Sequence, residues 1–579
     1  MSAKPKEDKM EIVSMQIFPG RNIYCHRPVI KMIVDLGGYA VKKTNEIEGF
    51  NLKLLQLLPG LSTHFCSLGR AGGFVERLQA GTYPGHVMEH MILELQHMAG
   101  NRVIYGKTRL HSEPSIYMII FEISGESCGM ECAKAAAAIL DALLKGQPVE
   151  LKPWLDRICR VTEEEGLGPS TQAIFQAAKK AGIPVMRLGE DSLLQLGYGK
   201  YSRLVQATLT DAVRSITTDV VSDKQLTKRM LASHDLPVPR GDIVRTLEEA
   251  EAAAEEIGYP VVLKPHNGNQ GKGVTLNICS REHLKKAWDI AEAFSSKVLV
   301  EQYVRGRDYR VLVVGDKVSA AAERTPPGIF GDGKHTIAEL VQLENQNVLR
   351  GKGHEKPLTR IPLDEVALEE LNRQGFDQNS VPAAGRLVRL RGNGNLSTGG
   401  TARDCTLEIH PDNAAMAVSA AKIMGLDIAG IDMVSADIAK PLQDNHGVIV
   451  EVNAAPGLRM HLHPTEGDPR DVAGDIVRIL FPEGRYHTIP IISVTGTNGK
   501  TTTTRMIGHI LESAGFHVGM TTTGGIYIGG VCKVYGDNTG PASARMVLSD
   551  RTVEAAVLET ARGGIIQKGL GYDMADVGV

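Results

Sequence analysis

A multidomain fold of α/β and α+β parts is predicted by three observations. The chain is too long for one core, its middle alternates strand and helix patterns, and an apolar strand near residue 490 runs through a glycine loop into a helix. At roughly 100 to 200 residues per domain, its 579 residues form three or four domains. The textures divide it into a small α+β domain at 1–161, a mixed α/β region at 162–487, and the beginning of a third domain at 488–579. With 42% hydrophobic and 23% charged residues, each part can bury an ordinary core, which excludes a fibrous or disordered chain. The formal charge of -3 gives no electrostatic reason to expect nucleic acid or an anionic membrane as partner. Eight scattered cysteines form no disulfide framework and no paired CxxC zinc motif, which fits a reducing cytoplasm. The first residues lack the apolar core of a signal peptide, and no uncharged apolar run of about 18 residues is present, so the expectation is a soluble protein.

In the first zone, EIVSMQIF and SIYMIIFEI read as strands, and apolar spacing predicts helices near 86–98 and 128–145. In the second, YPVVLKP (259–265), KVLVEQYV (297–304), YRVLVVGDKVSAAAERT (309–325) and GVIVEVN (447–453) are the clearest strands. Residues 326–400, rich in Gly, Pro, Asn and charge, read as an inserted excursion or mobile lid. The third zone ends at ADVGV, which reads as a strand beginning. An α/β nucleotide domain normally needs five or six parallel strands, so this sheet is expected to be incomplete, with an apolar edge at 577–579.

The string GTNGKTT (496–502) has the chemistry a triphosphate needs. Gly496 and Gly499 let the backbone approach closely, and the N–H groups of Thr497, Asn498 and the helix start face an anion. Lys500 reaches the terminal phosphates, Thr501 ligates magnesium, and Thr502 continues the helix start. This form resembles the Mur ligase family, in which ATP forms an acyl phosphate that an amine attacks. The resemblance makes Glu559, in LETARGG, a second magnesium-binding carboxylate; the family's later positions have no counterpart before residue 579.

The second zone resembles the ATP-grasp superfamily, whose two sheets clamp ATP. Lys224 (SDKQLTKRML) and Lys264 (VVLKP) would neutralise phosphate charge, and HNGNQGKGV, with Gly268, Gly271 and Gly273, would fold over it. The resemblance gives Glu301 and Asp308 the adenine and ribose, and places Arg310 and Arg324 near the transferring phosphate. Asp432, Glu451 and Asn453 offer oxygens for magnesium, with Asp437 a less favoured substitute for Asp432; Glu451 and Asn453 share a strand face because side chains alternate.

GLGPSTQAI, SLLQLGYGK, DKQLTK, GNGNLSTGGTARD and VEVNAAPGLRMHLHP resemble the cyanophycin synthetase family in order and spacing, as does the succession of three domains. That resemblance implies an ATP-dependent amide ligase. The ATP-grasp site phosphorylates the polymer's terminal carboxylate and adds aspartate; the Mur-like site activates the aspartate side chain and adds arginine. It further implies that Ser170, Ser397, Thr398 and Gly399 hold the growing end, with Arg459 and His461 nearby, and that the enzyme is a cytoplasmic homo-oligomer using ATP and magnesium, with a cyanophycin primer, aspartate and arginine as partners. Gln270 stands where the family usually has His. Three alternatives are a one-site ligase joining aspartyl-arginine dipeptides, a zinc hydrolase with vestigial ATP sites, and a granule-binding scaffold. The first expects a Mur-like domain without ATP chemistry, which the whole GTNGKTT loop disfavours.

His86, Glu89 and His90 form H-x-x-E-H, the inverted zinc-peptidase signature. One helical turn apart, the two histidines can grip a zinc ion with Glu94 on the same stripe and Glu89 as general base. Val87, Met88, Met91, Ile92, Leu95 and Met98 mark the core side, so the His/Glu face is expected to lie outside the core. A hydrolase there would cut polymer into primers. The bland alternative is an ordinary polar helix face.

Overall fold

The computed structural model describes residues 10–66, 68–111, 113–189, 191–266, 273–351, 353 and 356–579. The chain folds as two compact units: residues 168–196 with 203–485, and residues 1–167, 197–202 and 486–579. The first and third zones of the sequence therefore fall in one unit.

Alternating apolar residues build a four-stranded antiparallel sheet at the amino-terminal end, in the order Glu11–Phe18, Val29–Asp35, Ile116–Glu122, Gly106–Leu110. The helices Pro84–Met98 and Glu126–Leu144 pack on it through Met88, Ile92, Leu95, Cys132, Ile139 and Leu140, against Ile30, Met32, Ile119 and Phe121. The helix Pro84–Met98 departs from the expectation of an uncovered polar face, because Glu89, His90 and Glu94 are all buried. The turn Pro59–Thr63 and the helix Gly73–Ala80 supply the cover: Leu61, Phe74 and Leu78 are fully buried, and the Phe74 ring stacks on His90 at 4.0 Å.

The carboxy-terminal sheet has six strands, in the order Val531–Tyr535, Gly525–Ile528, Val518–Thr522, Ala555–Glu559, Ile491–Val494, Val577–Gly578. The last four run parallel, and a hairpin extends the other edge antiparallel. With the hairpin the sheet reaches six strands, four of them parallel, against the five or six parallel strands expected of such a domain. Val577 and Val579 are exposed at the far edge, as the apolar pattern implied.

The other unit carries its site residues on two antiparallel sheets, beside a further four-stranded antiparallel sheet within 185–210 and two two-stranded sheets. One runs Thr275–Ile278, Val261–Pro265, Val298–Gln302, Gly241–Val244, and buries its apolar face under the helices Leu247–Ile257 and Arg281–Glu292 through Ala250, Ala254, Leu284 and Trp288. The second runs Thr401–Asp404, Lys317–Thr325, Arg307–Val314, Ile428–Ser435, Val448–Asn453, with Val311, Val313, Ala429 and Ile431 packed against the helix Pro411–Ile423 at Ala417, Ala420 and Ala421. The insertion at 326–400 has a core of its own, formed by Ile329, Ile337, Val341, Ile361, Leu371, Val388 and Leu390.

The helix Lys224–Ala232 connects fold to site, because its first residue is a predicted phosphate lysine. Asp223 caps it, accepting the N–H groups of Gln225 and Leu226 at 3.1 and 3.0 Å. Removing that cap in Asp223→Ala should lower stability by about 1 kcal/mol in a denaturant melt and weaken nucleotide binding, while Asp223→Asn should keep both near the parent value.

Candidate active sites

Three clusters of polar side chains stand out, two of them fed by cross-strand geometry. In the two-sheet unit, a cavity of about 760 Å³ is lined by Lys224, His266, Glu451, Asn453 and Ala454, with the helix residues Thr218, Val221 and Ser222 on the facing wall. Glu451 and Asn453 project from one face of Val448–Asn453, as strand periodicity requires. Lys224 Nζ lies 3.7 Å from Glu451 Oε1.

Behind this wall, Glu301 is 3% exposed and both carboxylate oxygens are taken, Oε1 by Lys228 and Oε2 by Lys264. Lys264 and Glu301 sit on neighbouring antiparallel strands, where Val262 is in register with Glu301 and Lys264 with Leu299. They are therefore diagonal neighbours on one sheet face. Burial, with Lys224 nearby, lowers the Lys264 ammonium to about 8, against the pull of Glu451. Burial and the flanking Lys264 take Lys228 down to about 6.

Asp432 is held between two arginines beside Glu451. It lies in register with Arg310 and with Glu451, and its carboxylate is gripped by Arg310, with Nη2 to Oδ2 at 3.0 Å, and by Arg324 at 3.0 Å. Burial raises its pKa, but the two guanidinium groups outweigh that and hold it below the usual carboxylate range. Arg324 also donates to Asp308 Oδ1 at 2.6 Å. Asp308 is thus engaged by an arginine and Glu301 by two lysines. Asp437 sits in a loop, accepting from Ala439 N.

The residues expected at the growing end gather around the insertion. Ser170 Oγ accepts from Leu458 N at 3.0 Å, fixing the turn that carries Arg459 and His461. Arg459 donates to Gly353 O and to Thr359 Oγ1, at 3.2 and 3.0 Å. The turn Leu396–Thr398 contains Ser397 and is closed by Thr398 Oγ1 on Asn395 O; Gly399, at φ +96°, accepts from buried Arg350 through its carbonyl. A side chain at Gly399 would strike Ile361 at 2.7 Å, so glycine is required there. His461 is 2% exposed, and neither ring nitrogen has a hydrogen-bond partner among the described residues; burial and the nearby Arg310 lower it to about 3. Gly268, Gly271 and Gln270 lie outside the described residues, whereas Gly273 adopts φ +71°.

At the carboxy-terminal loop, Gly496 and Gly499 have φ +149° and +78°, and Gly499 opens the helix Lys500–Ser513, which carries Thr501 and Thr502. Lys500 Nζ folds back onto the carbonyls of Gly496 and Thr497, and Asn498 lies between them in the loop. Thr501 Oγ1 donates to Glu559, with its two oxygens at 3.0 and 2.9 Å; Thr523 joins them through its hydroxyl and its N–H, at 3.0 and 3.2 Å.

In the amino-terminal sheet domain, one ligand atom from each of Cys66, His86 and His90 lies within 4.8 Å of the others; so do those of His64, Glu94 and His97. Glu94 therefore joins a different group from the two histidines it was expected to accompany. The groups touch where His64 Nδ1 meets His90 Nδ1 at 3.1 Å, and His64 Nε2 meets Glu94 at 2.9 Å. Burial holds His86 near 4 and His90 near 2, so both rings are neutral at physiological pH, the state a metal ligand requires. Glu89 turns toward the sheet, accepting from Thr108 Oγ1 at 2.6 Å. Sequence reading missed Cys66, His64, Thr523 and Lys228; only Lys228, one helical turn after Lys224, carried a local signal.

Burial raises Glu89 to about 7, against the Thr108 bond. Such a group binds more protons folded than unfolded between its ordinary 4.5 and about 7, so native stability falls as pH rises through that window. Metal-free Glu89→Gln should lack this slope and gain on the parent by on the order of 3 kcal/mol between pH 4.5 and 8, as read in denaturant melts.

Comparison with known proteins places these sites in context. Residues 31–145 match the cyanophycin synthase-like N-terminal domain, residues 221–343 and 379–480 the RimK-like ATP-grasp domain, and residues 494–579 the Mur ligase middle domain. The cyanophycin synthetase of Trichormus variabilis is 47% identical over 576 residues, covering 98% of this chain and 64% of its own length. That of Geminocystis herdmanii is 46% identical over 578 residues, covering 98% and 66%. The chain thus spans slightly under two thirds of these relatives. Among solved structures, a bifunctional glutathione synthetase from Pasteurella multocida aligns at TM-score 0.45 and 23% identity, covering 78% of this chain and 81% of that one. No described helix is long and apolar enough to cross a membrane.

Proposed function

Because the chain belongs to the cyanophycin synthetase family along the length the two share, we propose that it is an ATP-dependent amide ligase extending a poly-aspartate backbone. The observation that carries this reading is the lysine- and carboxylate-lined cavity between the two antiparallel sheets, in a segment that matches the ATP-grasp domain.

In this reaction the polymer's terminal carboxylate oxygen attacks the γ-phosphorus of ATP, and the bond to the bridging oxygen breaks with its electron pair leaving on ADP. The aspartate amine then attacks the acyl carbon, phosphate leaves, and the amine proton passes to phosphate or solvent. Lys224 at the cavity and Lys264 behind it balance the triphosphate's charge. Arg310 and Arg324, held by Asp432, present guanidinium groups toward the charge that develops on transfer. Ser170, Ser397, Thr398, Gly399, Arg459 and His461 shape the seat of the growing end, Ser170 by fixing the Arg459 turn. Glu451 and Asn453 are oxygen donors at the cavity wall that would hold magnesium, which would supply positive charge against the triphosphate. Asp432 would join them only by giving up an arginine.

The carboxy-terminal loop takes the second role, arginine addition to the aspartate side chain, with Lys500 at the phosphates and Thr501 and Glu559 converging on one point that suits magnesium. That convergence favours two nucleotide sites over the one-site dipeptide ligase. We place the enzyme in the cytoplasm as a homo-oligomer, with a cyanophycin primer, aspartate and arginine as substrates. Incubation with ATP, magnesium, primer, aspartate and arginine, followed by mass analysis, should show aspartate joined to primer. Lys264→Met should slow that step by about 100-fold or more, and failure of the parent to add aspartate would overturn the reading.

A second reading concerns the amino-terminal domain: Cys66, His86 and His90 would hold a zinc ion, because one donor atom each of two neutral imidazoles and a thiol lies within 4.8 Å of the others. Zinc held there would act as a Lewis acid. Glu89, protonated near neutral pH and facing Thr108, would serve as acid or base in polymer cleavage. Cys66→Ser should lower bound zinc measured by elemental analysis, and Glu89→Gln should lose ATP-independent cleavage of cyanophycin; equal cleavage by parent and variant would remove Glu89 from the mechanism.

A further inference from the structure

Resting on the ATP-ligase reading of the central cleft, a further question is how Lys264 becomes available to a nucleotide. Lys264 does not line the cavity; its ammonium is paired with Glu301 Oε2, and Glu301 is 3% exposed. A carboxylate so buried cannot be left without a counter-charge. If Lys264 were its only partner, each binding event would strip a buried anion of its cation, and the cleft would hold ATP weakly.

The helix Lys224–Ala232 supplies the missing group. One turn after Lys224 it carries Lys228, 6% exposed, with its ammonium on the other oxygen of the same carboxylate. The two residues divide the work of one helix face. Lys224 reaches forward to Glu451 at the cavity, and Lys228 reaches back to Glu301. In the nucleotide-free cleft, Glu301 thus faces two lysine amines where one cation suffices, and Lys264 bears the charge while burial and Lys264 itself disfavour it on Lys228. Burial and the neighbouring Lys264 and Lys224 all disfavour the charged form of Lys228, and that penalty is smallest when Lys264 is elsewhere. An incoming triphosphate relieves it by drawing Lys264 away.

We propose that Lys228 is a positioning residue that keeps Glu301 neutralised when Lys264 leaves it for the nucleotide phosphates, so that Glu301 and Lys228 form a fixed base from which Lys264 is released. Lys228 does not touch the nucleotide in this scheme; it acts through Glu301. Charge alone is required of it, so arginine should serve, and its importance should vanish when Glu301 carries no charge.

The test is titration calorimetry with magnesium and a non-hydrolysable ATP analogue, in a Lys500→Met background so that only the central cleft is read. Lys228→Met should raise the dissociation constant about tenfold or more, with Lys228→Arg staying within about threefold of the parent. In Lys228→Met/Glu301→Gln, affinity should lie within about threefold of Glu301→Gln alone, the coupling a double-mutant cycle detects. Unchanged affinity in Lys228→Met, or an equal loss whether or not Glu301 is charged, would overturn the proposal. If Lys228→Met fails to fold, loss of binding in a folded Lys228→Arg would overturn it as well. A parent that binds the analogue while these variants behave otherwise sinks this inference alone; a parent that binds none sinks the ligase reading with it.

Discussion

Burying a lysine or arginine requires a carboxylate beside it, and burying a carboxylate requires a cation; the central cleft is built by satisfying both demands across two sheets. Glu301 lies between Lys264 of one sheet and Lys228 of the helix Lys224–Ala232, and pairs with both. Asp432 lies between Arg310 and Arg324 of the other sheet. The helix capped by Asp223 brings Lys224 to Glu451 at the cavity between them. Each of these side chains is thus paired with an opposite charge in the nucleotide-free cleft.

The other two clusters follow the same logic with different donors. Thr501 and Glu559 come from a helix start and from the end of a parallel strand, and meet because the loop between Ile491–Val494 and Lys500–Ser513 turns sharply at two glycines. Cys66, His86 and His90 meet because a short turn and a helix are folded over the polar face of Pro84–Met98. Burial there keeps both histidines neutral and pushes Glu89 up toward neutrality, so one helix carries soft metal donors on one flank and a proton-holding carboxyl on the next.

Much of this was legible from residue order. Period-two alternation located the strands around Lys264, Glu301 and Glu451, and 3.6-residue spacing located the helix bearing His86 and His90, because these patterns are local. What failed was information carried by pairing. Register between distant strands sets Arg310 opposite Asp432, a pairing that no local pattern announces. The polar face of Pro84–Met98 looked uncovered because its cover, Phe74 and Leu61, lies elsewhere in the chain; for the same reason Cys66 and His64 could not be assigned to the cluster. The hairpin that brings the last sheet to six strands was hidden by short, Gly-rich strands with weak alternation.

The central claim is that a nucleotide's terminal phosphoryl group is delivered onto a peptide's end carboxylate in the cleft between the two sheets. Oxygen-18 placed in the terminal carboxylate of the primer traces that transfer atom by atom. With ATP, magnesium and aspartate, one labelled oxygen should appear in the phosphate released at the first addition to each primer, because the acyl phosphate passes its bridging oxygen to the leaving group. Extension that releases only unlabelled phosphate would contradict the account.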